Sequence, residues 1–389
     1  MQLKRLLAKQ IEQHLARGKS ILLLGPRQTG KTTLINQFKP RLAINFMAVE
    51  LRLRYERSPE LFYAEVESIA KQYPMPLVVV DEVQLIPTIM DTVQLLIDRQ
   101  IAQFILTGSS ARKLKHTGRV NLLPGRVVVL YLDPLSLEES QSLNVTLEDR
   151  LLFGELPAIL PELVHEYQQI DLQSYVETYL EEEIRRESVV RNLASFARFL
   201  ELAAAQSGET INLSKLSKDI GVAHTSIAAY YQILEDCLIA HRIDPYGISK
   251  TRRKLVQSPK YLFFDLGVRR IAAREGYPLP TTILGKLFEQ WVGLSLIKHI
   301  HLNEPRSQLF FWRDHNGIEV DWILKRHDQL IPIEVKWTDA PTSTDFRHLR
   351  IFMEEYGITK GYLVCRIHHK IERDGIEILP WQDLIHSIQ

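Results

Sequence analysis

The stretch GPRQTGKTT, residues 25–33, decides the fold of the first part of this chain. Its spacing, G-x-x-x-x-G-K-[ST], follows the apolar run SILLLG at 20–25 and opens a segment with helical character. In this context the glycines let the backbone wrap a phosphate group, and the amides and the helix N-terminus bind the anion. The sequence therefore predicts a phosphate-binding loop, made of Gly25, Pro26, Arg27, Gln28, Thr29, Gly30, Lys31, Thr32 and Thr33.

Four side chains have specific predicted roles in such a site. We expect Lys31 to reach the β- and γ-phosphates of ATP and the Thr32 hydroxyl to bind Mg²⁺. The run LVVVDE at 77–82 supplies the second half of the site. Asp81 ends an apolar strand, where it can hold Mg²⁺ through water, and Glu82 is placed to polarise the attacking water. That pairing indicates hydrolysis and not nucleotide binding alone.

Two further residues are candidates for catalysis. The strand that ends FILTGSS at 104–110 places the hydroxyls of Thr107, Ser109 and Ser110 beside the γ-phosphate, where one of them could sense its presence, with Thr107 as the first candidate; an ordinary Gly-Ser turn is the alternative. Arg126 stands at the entry to the apolar run 127–132. This position suits an arginine finger that reaches the nucleotide of a neighbouring subunit, and the alternative is a surface arginine.

Short apolar runs alternate with amphipathic stretches in the first third of the chain, which predicts a parallel α/β sheet covered on both faces. These runs lie at 20–25, 42–46, 77–82, 104–108 and 127–132. The pattern is helical from about 136 to 243. Further strands are expected around a helix at about 283–300, namely at 260–265, 309–313, 318–324, 330–335 and 361–366. We expect three parts, with bounds 1–135, 136–245 and 246–389.

Four motifs together resemble one family: GPRQTGKTT, VVVDEVQ, ILTGSS, and LPGR followed by YLDPLSLEE. They look like the AAA-type ATPase domain that many prokaryotic proteins join to a C-terminal domain of unknown function, DUF4143. The resemblance covers nearly the whole chain and implies an AAA-like P-loop core, ATP as ligand, and ring or dimer assembly. Gln84 also matches the family pattern, without a defined role. A second sensor arginine, usual in many AAA proteins, has no clear counterpart.

The middle segment has the spacing of a winged helix-turn-helix, with three helices and a short strand over 194–243. Its third helix would offer five residues to a DNA groove, namely His224, Thr225, Ser226, Tyr230 and Tyr231. That helix has no Lys or Arg but contains Glu235 and Asp236, whereas DNA affinity depends mainly on cations that face phosphates. A lid or protein-interaction role is therefore favoured for this segment.

Acidic residues and one lysine form a second constellation near the C-terminus. Glu289 lies on an amphipathic helix, Glu319 and Asp321 follow the turn Asn316-Gly317, and Glu334 and Lys336 lie on another apolar strand. Asn-Gly between apolar runs is a strong hairpin signal. Because residues i and i+2 of a strand share a face, Glu319 points the same way as Asp321, and Glu334 the same way as Lys336.

Asp followed by Glu-x-Lys on the adjacent strand resembles restriction-endonuclease-like active sites. In those sites two carboxylates hold one or two Mg²⁺ ions, and the lysine positions or activates water for phosphodiester cleavage. The resemblance implies that Asp321 and Glu334 bind metal, that Glu289 completes the metal shell, and that Lys336 serves the water. The alternative is a degenerate nuclease fold used for binding, with its acids neutralised by Lys336 and Arg313.

Composition excludes several classes of protein. The 389 residues include 48 Lys and Arg against 47 Asp and Glu, a net charge of +1, and 45% are hydrophobic. These values exclude a disordered chain, a fibre and a strongly cationic nucleic-acid coat. Two cysteines cannot build a disulfide framework or a zinc site alone, so we expect a reducing cytoplasm. No apolar run approaches the roughly 18 residues of a membrane span.

The near-neutral sum conceals segregated charge. Residues 1–54 carry +9, residues 133–183 carry −12 and residues 245–274 carry +7. The basic residues within 249–274, above all the run SKTRRK at 249–254, are the best candidates for contact with DNA, and solvated loops are the alternative.

The sequence thus predicts a Mg²⁺-dependent AAA-type ATPase that binds and hydrolyses ATP, joined to a nuclease-like, DNA-interacting C-terminal domain. The alternative is a nucleotide-switched adaptor for protein partners, whose nuclease-like domain is catalytically inactive. The fold class expected is α/β, with a P-loop parallel-sheet core, a helical winged-helix-like middle segment and an α/β restriction-endonuclease-like C-terminal domain.

Overall fold

The computed structural model describes residues 3–110, 125–180, 192–247, 255–277 and 279–389. It divides into two compact units. The first comprises Met1–Leu135 with Asp236–Ile239, and the second comprises Ser136–Glu235 with Ala240–Gln389. Each unit has its own hydrophobic core. No helix in these described ranges combines the length and apolar character needed to cross a membrane.

The first unit is built on a five-stranded parallel sheet, in the order β2-β3-β4-β1-β5. Its strands are β1 (Ser20–Leu24), β2 (Leu42–Asn45), β3 (Leu77–Asp81), β4 (Gln103–Gly108) and β5 (Val127–Tyr131). Each of the five apolar runs forms one strand, so the expected parallel sheet is confirmed. All five residues of β1 are buried, as expected for a strand covered on both faces.

Helix α1 (Leu7–Ala16) precedes β1, and the helices between the strands are α2 (Lys31–Ile35), α3 (Val49–Arg57), α4 (Pro59–Gln72) and α5 (Ile89–Asp98). In α4, Pro59 suits the first turn because its fixed φ is helical and its missing N–H is not needed there. Phe62 and Val66, one turn apart, bury the apolar face of α4 in the core. Because the strands are parallel, their carboxyl ends lie at one edge of the sheet, where Asp81 and the loop after β1 meet.

The second unit begins with helices: α6 (Leu147–Phe153), α7 (His165–Ser174) with a π-helical turn at Tyr175–Leu180, α8 (Leu193–Ala205), α9 (Leu213–Ile220) and α10 (His224–Asp236). Asn212 caps α9 by accepting a 2.9 Å hydrogen bond from the Lys215 amide. Gly221 ends that helix in the left-handed conformation (φ 78°) that glycine favours. The expected succession of three helices and a strand over 194–243 is therefore present.

An eight-stranded mixed sheet forms the rest of the second unit, in the order β12-β13-β11-β10-β9-β8-β6-β7. Its strands are β6 (Ala240–Pro245), β7 (Lys260–Phe263), β8 (Gln308–Arg313), β9 (Glu319–Arg326), β10 (Gln329–Val335), β11 (Gly361–Cys365), β12 (Ile371–Arg373) and β13 (Ile376–Pro380). The helices beside it are α11 (Leu266–Ala272), α12 (Thr281–Asn303), α13 (Arg347–Tyr356) and α14 (Leu384–Ile388). The expected hairpin at Asn316-Gly317 joins β8 to β9.

Close packing of α12 on β9 brings a helix carboxylate to the sheet. A Cβ atom on Gly293 would lie 2.6 Å from the Trp322 ring, so only glycine permits this approach. The Trp322 indole N–H also donates a 3.0 Å hydrogen bond to the backbone carbonyl of Glu289. The contact fixes Glu289, one turn before Gly293, beside the strand that carries Asp321.

Two tyrosines expected to face DNA are buried. Tyr230 and Tyr231 are 8% and 2% exposed, and they pack on Phe196, Phe199 and Tyr261. Aromatic residues at this helical spacing form the core between α8, α10 and β7, so the expectation that they reach a DNA groove was wrong.

Much of the described part of the basic stretch 249–274 is also interior. Lys260, Arg269 and Arg270 are buried, and Arg274 is 77% exposed. Buried cations must be paired, and Arg269 binds Glu275 and the Ala204 carbonyl. The prediction of a DNA-facing surface is wrong for these three residues. The run 249–254 lies outside the described residues.

Candidate active sites

The loop after β1 has a backbone that only certain residues accept. Gly30 has φ 91° and Gln28 has φ 61°, both in the left-handed region. Gly25 has no room for a side chain, because an added Cβ would lie 2.4 Å from the Leu132 carbonyl oxygen. A strained backbone of this kind is typical of ligand-binding loops.

The residues of this loop differ in exposure. Gly25, Pro26, Thr29 and Lys31 are buried, Arg27 and Gly30 are half-buried, and Gln28, Thr32 and Thr33 are exposed. The Lys31 ammonium lies inside the loop, where it donates to the carbonyls of Gly25 (2.8 Å) and Pro26 (2.9 Å). The Thr29 hydroxyl donates to the same Pro26 carbonyl at 2.9 Å. The loop is therefore closed around a positive charge.

Asp81 joins three neighbouring elements at the carboxyl edge of the sheet. Its carboxylate accepts hydrogen bonds from the Thr32 hydroxyl (2.7 Å), from the Asn45 amide (3.1 Å) and from the Thr107 hydroxyl. The structure thus brings together Thr32, Asp81 and Thr107, which the sequence had singled out separately. Asn45 was missed, and its signal is an amide at the end of an otherwise apolar strand.

Glu82 is held by side chains on both sides of its strand end. Its backbone is left-handed, with φ 60°. One carboxylate oxygen accepts from the Gln84 amide at 2.5 Å and from the Ser109 hydroxyl at 3.0 Å. The Glu82 amide donates to the Thr107 hydroxyl at 3.1 Å. Gln84, which had no role in the sequence reading, is a direct partner of Glu82.

Arg5 supports the loop from behind and was also missed. Its guanidinium is 7% exposed, and it donates to the Thr29 carbonyl and, at 2.7 Å, to the Asp133 carbonyl. It therefore joins the phosphate-binding loop to the segment after β5. A single arginine ahead of an amphipathic helix gives no sequence signal for this position.

Arg126 lies away from these residues within its own chain. Val127, its neighbour, pairs with Ser20 at the beginning of β1, whereas the loop follows the end of β1. The guanidinium instead makes two hydrogen bonds with Asp98, of 2.6 and 3.0 Å. These bonds lower the pKa of the Asp98 carboxyl. A role in trans for Arg126 stays a prediction.

In the second unit, the structure brings Asp321 and the Glu-x-Lys motif together. Strands β9 and β10 are antiparallel neighbours. The Val335 amide donates a 2.8 Å hydrogen bond to Asp321, and Lys336 donates a 2.5 Å hydrogen bond to Glu334. Glu334 and Lys336 therefore share a face, as expected from their spacing.

A buried lysine that sequence reasoning missed stands in this acidic site. Oxygens of Glu289, Glu319 and Asp321 lie within 4.8 Å of one another. Lys260, 2% exposed, lies 3.1 Å from Glu289 and 2.6 Å from Glu319. Lys260 begins a four-residue strand in which every residue is buried, so it requires a charged partner, but this burial is evident only in the structure.

Burial and neighbouring negative charges raise the pKa values of two acids in this site. Burial, with the charge of Glu289 added, raises the pKa of Glu334 to about 7 against the opposing effect of Lys336. Burial and the charges of Glu334 and Glu289 raise the pKa of Asp321 well above its ordinary value. Burial would lower the pKa of Lys260, but the surrounding carboxylates outweigh it and raise that pKa, so the ammonium stays charged.

One oxygen of this site lacks a partner. Among the described residues, Glu334 Oε2 is buried without a hydrogen-bond donor. Buried carboxylate oxygens are ordinarily satisfied, and an unsatisfied one is consistent with a site that takes a cation. Oxygen-only donors of this kind suit Mg²⁺ or Mn²⁺.

Three family models match consecutive parts of this chain. The family described as an AAA domain matches residues 17–141, which include the loop, Asp81 and Glu82. The domain of unknown function DUF4143 matches residues 284–384, which include Glu289, Asp321 and Glu334. A further domain of unknown function, DUF8612, matches residues 144–277.

Sequence identity between this chain and the relatives and solved structures it matches is low. An uncharacterised protein of Mycobacterium tuberculosis is 27% identical over 97% of this chain and 83% of its own length. An uncharacterised protein of Methanocaldococcus jannaschii is 23% identical over 75% of this chain and 71% of its own length.

Among solved structures, the ORC2 protein of Aeropyrum pernix overlaps 75% of this chain and 92% of its own, with 14% identity and a TM-score of 0.37. Cdc6p of Pyrobaculum aerophilum overlaps 61% of this chain and 85% of its own, with 13% identity and a TM-score of 0.29. The assignment rests on the family matches. The chain thus matches an AAA domain over residues 17–141 and the DUF4143 domain over residues 284–384.

Proposed function

We propose that the AAA domain of this chain binds ATP with Mg²⁺ and hydrolyses the nucleotide. The observation that carries the proposal is the 2.7 Å contact between Thr32 and Asp81 beside the loop that buries Lys31. A hydroxyl and a carboxylate are the hard oxygen donors that Mg²⁺ prefers, and they meet where the loop presents its amides. Thr32 and Asp81 would hold the ion, which neutralises phosphate charge when bound.

The remaining steps fall to side chains of this chain. The Lys31 ammonium stabilises negative charge on the β- and γ-phosphates. A water oxygen bonds to the γ-phosphorus, the bond from that phosphorus to the bridging oxygen breaks, and ADP leaves. The water proton passes to the Glu82 carboxylate, one oxygen of which is held by Gln84 and Ser109.

Binding and turnover of ATP by Lys31→Ala test this proposal. Loss of the ammonium is expected to weaken ATP binding and abolish phosphate release, because the loop then has no charge to offset the phosphates. Lys71→Ala is the matched control, since Lys71 is 73% exposed and pairs only with Glu67 in the described contacts. Turnover by Lys31→Ala equal to that of the control would refute the assignment.

We propose, as a second function, Mg²⁺-dependent cleavage of a phosphodiester by the C-terminal domain. Its support is the proximity of the buried Asp321 and Glu334 to the half-buried Lys336, together with the unpartnered Glu334 oxygen. Asp321, Glu334 and Glu289 would hold the ion, and Lys336 would position the water. Plasmid and single-stranded DNA incubated with Mg²⁺ or Mn²⁺ test it, and cleavage that survives both Asp321→Ala and Glu334→Ala would exclude these residues.

The alternative is a nucleotide-switched adaptor with a silent C-terminal domain. The basic residues Lys260, Arg269 and Arg270, which are buried, favour it over a DNA-binding surface there. Co-purification of a stable protein partner, with no DNA binding at low salt, is the result that separates the adaptor from the nuclease.

A further inference from the structure

We propose that Lys260 is a built-in cation of the carboxylate cluster Glu289, Glu319 and Asp321, and that it competes with a divalent metal ion for these acids. The contacts of Lys260 support this role whether or not the domain cleaves DNA. Lys260 would then decide the metal affinity of the site.

The geometry places the ammonium where a metal ion would otherwise lie. The three carboxylates offer oxygens within 4.8 Å of one another, which is the spacing of a site for one ion. Lys260 Nζ lies 2.6 Å from Glu319 Oε1 and 3.1 Å from Glu289 Oε1. These are charge-assisted hydrogen bonds, and they occupy oxygens that a metal would need.

The ammonium is also held in place from the apolar side. It lies 4.9 Å from the centre of the Phe311 ring and 5.6 Å from that of Trp322, within the range of cation–π contact. Lys260 is itself anchored at the start of β7, which pairs with β6. A cation tethered to a strand in this way cannot diffuse out, whereas a metal ion can.

Charge in the cluster favours competition over simultaneous binding. Four carboxylates (Glu289, Glu319, Asp321 and Glu334) meet three described cations (Lys260, Lys336 and Arg313). A divalent ion beside Asp321 would lie close to the Lys260 ammonium, and like charges at such distances repel strongly in a buried site. Removing the Lys260 ammonium therefore makes the carboxylate oxygens available to a metal ion and also removes the repulsion between the ammonium and that ion.

The test is direct measurement of Mn²⁺ binding to the full chain without nucleotide, by electron paramagnetic resonance and calorimetry. All proteins carry Asp81→Asn, so that the ATP site does not contribute. Lys260→Met is expected to bind one Mn²⁺ at least about tenfold more tightly than the parent, which corresponds to about 1.4 kcal/mol. Adding Asp321→Asn to Lys260→Met is expected to abolish the gain. Equal or weaker binding by Lys260→Met would overturn the proposal.

If Lys260→Met folds poorly, the midpoint of thermal unfolding, measured with and without Mn²⁺, is the second test. Lys260→Met removes the described ion pair of Glu289 and leaves Glu319 with Arg313 alone, so its midpoint is expected to fall without metal and to recover when Mn²⁺ is added. Lys298→Met is the matched control, because Lys298 is a buried lysine whose partner Glu155 keeps Arg150. This control is expected to lose stability with no recovery. Absence of recovery in Lys260→Met would also contradict the proposal, while failure to cleave DNA would bear only on the nuclease function.

Discussion

Gln84 donates a 2.5 Å hydrogen bond from its side-chain amide to the carboxylate of Glu82. The same amide lies 2.9 Å from the Ser109 hydroxyl, which itself donates to Glu82 at 3.0 Å. Glu82 therefore has one oxygen held by two donors and a backbone fixed at φ 60°. We therefore propose that Gln84 orients the proposed general base.

Replacing Gln84 by Ala is expected to lower the kcat of ATP hydrolysis by about tenfold, corresponding to about 1.4 kcal/mol, and to leave KM almost unchanged. The reason is that the variant misorients Glu82 without touching the loop that binds phosphate. Steady-state kinetics check the split between kcat and KM, and Gln72→Ala, at an exposed position, is the control. A kcat equal to or above that of the parent would mean that Gln84 restrains Glu82 instead of positioning it.

Arg126 is expected to act on the nucleotide of a neighbouring subunit. Arg126→Ala should lower turnover by about 100-fold or more, in the range of arginine fingers. Mixing it with Lys31→Ala should restore activity, because one protein supplies the intact loop and the other the arginine. Asp98→Ala, which removes the ion pair with Arg126 but keeps the arginine, is expected to keep its turnover. A mixture no more active than its components would contradict a role in trans.

Gly25→Ala is expected to abolish ATP binding and to lower the free energy of unfolding by about 1–3 kcal/mol. The added Cβ would lie 2.4 Å from the Leu132 carbonyl oxygen, so the backbone of the loop must shift. Gly276→Ala is the control, because nothing lies within 4 Å of a Cβ at that position. Equilibrium ATP binding and denaturant unfolding measure the two effects, and unchanged ATP affinity in Gly25→Ala would show that this contact is not needed.

The second unit should show a carboxylate-dependent loss of stability in acid. Burial would raise the pKa of Glu304, but hydrogen bonds from Arg326, Ser307 and His299 outweigh it and lower that pKa to about 2. Because the pKa of Glu304 is lowered in the folded state, its ionised carboxylate stabilises that state at pH values above its ordinary pKa of 4.5. This stabilisation is lost as the pH falls towards 2.

Glu304→Gln should therefore lower the free energy of unfolding by about 1 kcal/mol at pH 7. This loss is modest because the ion pair is partly exposed, and it should become smaller as the pH falls below 4.5. Urea unfolding at several pH values measures the difference. Glu201→Gln, which removes a far more exposed ion pair with Arg274, is expected to have little effect at any pH. A difference between Glu304→Gln and the parent that does not depend on pH would rule out this origin.

Most of the sheet architecture could be predicted from the sequence because it follows from local patterns. Each apolar run of the first unit forms a strand, and the phosphate-binding motif after β1 indicates at which edge of the sheet the candidate site lies. Thr32, Asp81 and Thr107 were found for the same reason, since parallel strands bring their carboxyl ends together.

The misses have a common cause, which is that sequence patterns do not give long-range pairing. Lys260 meets Glu289 and Glu319 across 29 and 59 residues, and Arg5 meets Asp133 across 128. Tyr230 and Tyr231 have the spacing of a recognition surface and of a core alike, and only packing on α8 decides between them. A sequence stretch rich in Lys and Arg likewise does not show which of these side chains are buried.

Every proposal for the nucleotide site depends on hydrolysis of ATP by the AAA domain with Glu82 as the base. The most direct measurement is phosphate release at saturating ATP by the parent protein and by Glu82→Gln, with ATP affinity determined in parallel. The account predicts turnover by the parent and a loss of about 100-fold or more in the variant, while ATP affinity is retained. Turnover by Glu82→Gln equal to that of the parent would contradict it.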